Sequence, residues 1–220
     1  MGLALFDLDH TLIGGDSDVL WGQYLAERGA VDPTHHEAQS LRYYEDYRAG
    51  RLDINAFLEF QLEVLAREEL EVLHAWRRDF LRQKIDPIVL PRALALVERH
   101  RQAGDTLAIV TATNRFITEP IAAIFAVPHL IATEPELRGG RYTGKVLGVP
   151  SFAAGKVTRL EEWLAAQGRE FAESWFYSDS HNDLPLLERT THPVAVDPDP
   201  QLAAEARRRG WPILSLRDAP

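Results

Sequence analysis

Two aspartates, Asp7 and Asp9, close an apolar run, Leu3-Ala4-Leu5-Phe6, and Thr11 follows at the same spacing. The run predicts a buried strand that ends at Asp7. A carboxylate at the C-terminal end of a strand faces the crevice where open α/β sheets bind ligands. Two carboxylates so close resist joint ionisation. A divalent cation removes that conflict, and a set of hard oxygen donors favours Mg²⁺. One acid can then attack as a nucleophile while the other moves protons. Taken by itself, Asp-x-Asp is equally an acidic turn after a strand.

Three further stations lie downstream. Val110-Thr111-Ala112-Thr113 closes a second apolar strand. A threonine hydroxyl and free N–H groups just ahead of a helix suit an anion. Gly155-Lys156 opens a helix, where a lysine opposes the dipole and needs an anionic partner. Tyr177-Ser178-Asp179-Ser180-His181-Asn182-Asp183 follows another apolar strand, and Asp179 with Asp183 would complete an oxygen shell begun by Asp7. Each station has an ordinary alternative: a turn threonine, a solvated lysine, an Asx loop with Asp183 capping a helix. Together they supply nucleophile, proton carrier, hydroxyl, cation and metal ligands in one order.

The elements that must position these groups fall into two textures. From Asp16 to Ile85 the pattern is helical: one helix over Asp18–Arg28 ended by Gly29, one over Glu37–Arg48 ended by Gly50, and a third capped by Asp53. Leu70, Leu73, Trp76, Phe80 and Leu81 mark a fourth, and Asp86-Pro87 breaks the pattern. After Pro91, helices and strands alternate, with strands at Thr106–Thr111, Leu130–Thr133, Trp175–Ser178, Pro193–Val196 and Ile213–Leu216 and a hairpin tip at Gly139-Gly140. Helices are expected from Pro91 to His100, Arg115 to Phe125 and Lys156 to Ala166. The expected fold class is α/β, a Rossmann-like doubly wound parallel sheet with an inserted all-helical cap. Residues 1–15 and 86–220 would form the catalytic core and residues 16–85 the cap. The aromatic cap residues Trp21, Tyr24, Tyr43, Tyr44 and Tyr47 suit either core or an interface, with core the default.

Composition narrows the partners. A chain of 220 residues, 45% of them hydrophobic, can bury a full core. A formal net charge of −9 offers no attraction for nucleic acid. No stretch is apolar and long enough to span a membrane, the N-terminus lacks the charged region of a signal peptide, and Phe6 breaks the myristoylation pattern after Gly2. With no cysteine, disulfides and zinc-thiolate sites are excluded. A cytoplasmic location and a small-molecule partner are expected.

The ordered motifs from Asp7 to Asp183 resemble the haloacid dehalogenase superfamily, specifically its phosphatases with a helical cap, of the phosphoserine phosphatase type. The resemblance implies that Asp7 attacks phosphorus and that Asp9 protonates the leaving oxygen and then activates water. It implies Mg²⁺ held by Asp7, the Asp9 carbonyl and Asp179, with Asp183 close behind. Thr111, Ala112 and Thr113 would grip the phosphoryl oxygens, and Lys156 would neutralise charge between phosphate and nucleophile. Asp16 falls where these enzymes hold a substrate amino group, and Asn182 matches a substrate-contacting Asn. An ungapped reading puts Glu59 where they clamp a substrate carboxylate with Arg, leaving Arg48 and Arg51 as neighbouring cations. The implied activity is hydrolysis of a small, aminated phosphorylated metabolite, with histidinol phosphate or phosphoserine as candidates. Transfer of phosphoryl to an alcohol and catalytically silent sensing of a phosphometabolite are the rival readings. Strand alternation would turn His10 away from both carboxylates, as a packing residue. His181 is a loop residue within reach of a substrate, and His35-His36 are expected on the exposed cap surface.

Overall fold

The computed structural model describes residues 2–168 and 170–217. Strand β1 (Leu3–Phe6) leads into a run of helices: α1 (Ser17–Glu27), α2 (Pro33–Arg48), α3 (Ile54–Arg67), α4 (Leu70–Phe80) and α5 (Pro91–Gln102). Strand β2 (Thr106–Asn114), α6 (Arg115–Ile124) and β3 (His129–Thr133) follow, then the hairpin β4 (Pro135–Arg138) and β5 (Arg141–Val146). The chain closes with α7 (Ala154–Gln167), β6 (Ser174–Ser178), α8 (Leu184–Leu187), β7 (His192–Val196), α9 (Pro200–Arg209) and β8 (Ile213–Leu214).

Six strands form one parallel sheet in the order β3-β2-β1-β6-β7-β8. The chain winds outward from β1 to β3, then returns to lay β6 on the other side of β1. The crevice at the C-terminal ends of β1 and β6 is therefore the topological switch point, where such sheets bind ligands. Alternation along β1 explains why both faces are covered. Ala4 and Phe6 enter one core cluster with α1, α5 and α6, while Leu3 and Leu5 enter another that includes Leu160, Leu186, Leu187 and Leu202.

The helical run between β1 and β2 is entered and left through paired segments: Gly14 N–H donates to the Ile88 carbonyl and Leu90 N–H to the Leu12 carbonyl. Trp21, Tyr24, Phe80 and Phe116 meet as an aromatic cluster with ring centroids 5.2–5.9 Å apart. Asp16, Asp32 and Asp53 each cap a helix with a carboxylate oxygen. Helix α2 begins at Pro33, earlier than the apolar pattern indicates, because Asp32 and Pro33 start it with cap chemistry. Helix α4 does not stop at Phe80; a π-turn (Leu81–Ile85) and a 3₁₀ turn (Asp86–Ile88) carry it to the exit segment. The β4–β5 hairpin packs on α3, where Gly144, at φ +78°, lets β5 approach Ala66.

Four side chains differ from the expectation. His36 is half-buried, packed 4.8 Å from the Phe60 ring and over Gly22, where only a hydrogen fits. Tyr43 and Tyr47 line a cavity instead of joining the core, and Tyr44 is 44% exposed. Helix α2 buries none of its residues, so it forms a roof over that cavity and not a packing element. Among the described residues no helix is long and apolar enough to cross a membrane.

Candidate active site

Asp7 leaves β1 with its N–H still bonded to the Tyr177 carbonyl, so β1 and β6 end side by side and bring Asp7 and Asp179 to one edge. The Thr11 hydroxyl lies 3.3 Å from Asp7 Oδ2 and 3.2 Å from Asp179 Oδ1. Lys156 reaches the same edge from α7: its Nζ donates to Asp7 Oδ1 at 2.7 Å and to Asp183 Oδ2 at 2.8 Å. Ser178 Oγ also donates to Asp183 Oδ2, at 2.7 Å. Asp7, Thr11, Lys156 and Asp183 are all buried.

Burial pushes the Asp7 carboxyl up to about 7; Lys156 opposes the rise, and Asp183 and Asp9 add repulsion. Burial likewise raises Asp179 well above the usual carboxylate range, with Asp7 and Asp183 adding to it. Burial alone would discharge Lys156, but Asp183 and Asp7 outweigh it and hold the ammonium charged. The lysine thus occupies Asp7 Oδ1 and Asp183, leaving Asp7 Oδ2 and Asp179 Oδ1 with one hydroxyl between them. That oxygen pair fits a hard dication. No three acidic or imidazole side chains converge by themselves among the described residues, so main-chain and solvent oxygens would complete the shell, as Mg²⁺ favours.

Asp9 turns the other way. Its Oδ1 accepts from Ser17 N–H at the start of α1, at 2.7 Å, and its Oδ2 accepts from Thr113 Oγ1, at 2.9 Å. Burial and Asp16 raise it to about 6, against the pull of those two donors. Thr111 accepts from Thr113 N–H at 3.2 Å, which leaves its own hydroxyl hydrogen to donate. Past Val110 the β2–β3 register shifts, and Asn114 caps α6.

Lys156 is aimed by a tight turn. Ala153 takes φ 48°, and a Cβ on Gly155 would lie 2.1 Å from the Pro150 carbonyl oxygen. Gly155→Ala must move that turn, and with it the ammonium. The expected result is a loss of roughly 100-fold in kcat/KM, the scale of an ångström-sized misplacement. Steady-state kinetics of the variant beside the parent check it; parent-like turnover would show that the turn does not aim Lys156.

A cavity of about 180 Å³ opens over this edge. Asp7, Asp9, Asp16, Thr111, Ala112, Thr113, Lys156, Asp179, Asn182 and Asp183 all line it. Asp16 spends Oδ1 on Val19 N–H as the α1 cap. Asn182 spends its amide on the Tyr47 carbonyl at 3.3 Å, and Tyr47 donates to Ser180 Oγ at 2.7 Å, so this loop latches the end of α2. Glu59 is exposed on α3 and lies outside the cavity lining, because the helical phase at Leu58 and Leu62 turns it outward. Arg48 and Arg51 are also exposed, and Arg51 pairs with Asp46 at 2.8 Å. His10 does line the cavity: β1 ends at Phe6 and His10 sits in a turn at φ 56°, so strand alternation does not reach it. His181 does not line the cavity; its Nδ1 pairs with Asp199 Oδ2 at 2.8 Å. Sequence reasoning missed Asp18 and Asp199, both of which line the cavity.

A family model described as haloacid dehalogenase-like hydrolase matches residues 4–188. The chain belongs to that family, and within it is an enzyme of the phosphatase type. It is 46% identical over 219 residues to a histidinol-phosphatase of Neisseria meningitidis serogroup C, an alignment covering 98% of this chain and 99% of that one. A crystal structure of a protein of unknown function from Bordetella pertussis Tohama I is similar over 98% of both chains, with 48% identity and a TM-score of 0.93. A substrate-bound phosphoserine phosphatase shares the fold at 16% identity, covering 98% of this chain and 93% of that one with a TM-score of 0.71.

Proposed function

We propose that the protein is a Mg²⁺-dependent phosphomonoester hydrolase acting through an aspartyl phosphate on a small aminated metabolite, with histidinol phosphate the preferred substrate over phosphoserine. The observation that carries the reading is the bridging of Asp7 by Lys156 on one oxygen and by Thr11, shared with Asp179, on the other. The histidinol-phosphatase relative, alignable over nearly its whole length, supports the substrate.

In this reading Lys156 and the Thr111 hydroxyl receive the phosphoryl oxygens, and Asp7 attacks phosphorus in line with the departing alcohol. Asp9, held by Ser17 N–H and Thr113, gives its proton to the leaving oxygen and later takes one from the water that opens the acyl phosphate. A bound Mg²⁺, held by Asp7, Asp179 and the Asp9 carbonyl, with Asp183 behind, would supply charge neutralisation for the transferring group. Residues 16–85 act as the cap over a core of 1–15 and 86–220, and α2 roofs the cavity. Among the described residues Lys156 is the only lysine or arginine in the lining, so the cavity offers no second fixed cation to a substrate carboxylate.

Inorganic phosphate release from histidinol phosphate and from phosphoserine, with Mg²⁺ and then with a chelator, tests the reading. At least a ten-fold preference in kcat/KM for histidinol phosphate is expected, with activity lost on chelation and restored by Mg²⁺. A strong preference for phosphoserine would refute the substrate, and chelator-resistant turnover would refute the metal.

A further inference from the structure

Asp18, in the first turn of α1, has no role in the chemistry above, yet it is only 6% exposed and lines the cavity. Its Oδ2 lies 3.0 Å from Thr113 Oγ1, the same hydroxyl that stands 2.9 Å from Asp9 Oδ2. One hydroxyl hydrogen cannot serve two carboxylates at once. The other oxygen, Asp18 Oδ1, is buried with no hydrogen-bond partner. A buried carboxylate oxygen left in that condition is costly, and few native proteins retain one without a use.

The surrounding charge makes the condition sharper. Asp9, Asp16 and Asp18 line the cavity together, and burial, with Asp16 and Asp9 adding to it, raises Asp18 well above the usual carboxylate range. The one lining lysine is committed to Asp7 and Asp183 at the phosphate end. Asp16 Oδ1 is committed to the helix cap, so it does not relieve Asp18. The cavity is also lined by Tyr43 and Phe57, an edge-to-face pair 5.4 Å apart, whose faces suit a cation or a flat cationic ring.

We infer that Asp18 is a specificity residue, whose carboxylate charge, uncompensated by any cation of the cavity lining, attracts a cationic nitrogen, ammonium or imidazolium, on the alcohol part of the substrate. The inference rests on the phosphomonoester reading and adds the residue that reads the alcohol. Two neighbours, Ser17 Oγ and Trp21 Nε1, are also buried without partners but do not line the cavity, so a purely local role for this turn is the competing account.

The test is Asp18→Asn, which keeps the shape and an acceptor for Thr113 but removes the charge. For parent and variant, kcat/KM is measured with histidinol phosphate and with p-nitrophenyl phosphate, whose leaving group carries no cation. The ratio of the first to the second is expected to fall at least ten-fold, mainly through KM of the cationic substrate. An unchanged ratio, whatever the absolute rates, would overturn the inference in favour of the local role. Calorimetry on the parent gives a second arm that needs no variant: histidinol is expected to bind at least ten-fold more tightly than the corresponding alcohol without its amino group. Equal affinities would overturn the inference. Should the parent hydrolyse neither ester, the phosphatase reading fails, and histidinol binding to the parent beside Asp18→Asn still decides on Asp18: a loss of at least ten-fold in the variant supports the inference and equal affinities overturn it.

Discussion

Asp7→Asn is expected to lower kcat by at least about 10⁴-fold on any phosphomonoester, because an amide oxygen cannot form the acyl phosphate through which the reaction runs. The fold should survive. The amide oxygen can still accept from Lys156 in place of Oδ1, and removing one charge relieves repulsion on Asp179 and Asp183. Unfolding of the variant is expected within about 1 kcal/mol of the parent, the net worth of one altered hydrogen bond. Thermal melts beside phosphate-release assays separate the two effects. Undiminished turnover in a folded variant would remove Asp7 from the nucleophile's role.

Lys156→Met should harm both activity and stability. The side chain is 4% exposed and holds Asp7 and Asp183 on a single ammonium. Methionine fills much of the volume and leaves two buried carboxylates without their cation. Breaking a buried pair in this way costs about 3–5 kcal/mol. Losing a preorganised positive charge next to the transferring phosphoryl group costs on the order of 10²–10³ in kcat. The same charge argument links the lysine to the metal. Added Mg²⁺ should raise the melting temperature of the variant more than that of the parent, since the dication then supplies part of the missing compensation. A variant with parent stability and parent response to Mg²⁺ would show that Lys156 does not balance this cluster.

The parts of the site legible in the sequence are those fixed by local position along an element. Asp7, Thr111 and Asp179 follow apolar runs, and in a parallel sheet the ends of such runs share an edge, so their convergence follows from the strand pattern. Lys156 is legible as a lysine that opens a helix against its dipole and so needs an anionic partner, whereas the close approach of Gly155 to Pro150 that aims it is not. The helix cap at Asp53 is legible for a local reason too, an aspartate just ahead of an apolar helical pattern.

What depends on the face a cap helix turns inward was not legible. An ungapped count places Glu59 over the substrate, but the phase of α3 is set by Leu58, Leu62 and Leu65, which bury and leave Glu59 outside. Asp18 reads as an ordinary first-turn acid favouring the helix dipole, and only the packing of α1 against Thr113 shows it buried. For His10, a period of two extended beyond Phe6 runs into a turn where that period no longer holds. The partnership of His181 with Asp199 joins the loop after β6 to the start of α9, and no spacing rule connects those positions.

Rapid acid quench of the protein with histidinol phosphate and Mg²⁺, followed by peptide mass spectrometry, tests the central claim most directly. The predicted result is a single phosphoryl group on the Asp7 carboxylate, sensitive to hydroxylamine and absent in Asp7→Asn. A phosphoryl group on any other residue, or a pre-steady-state burst of released alcohol with Asp7 unmodified, would contradict it.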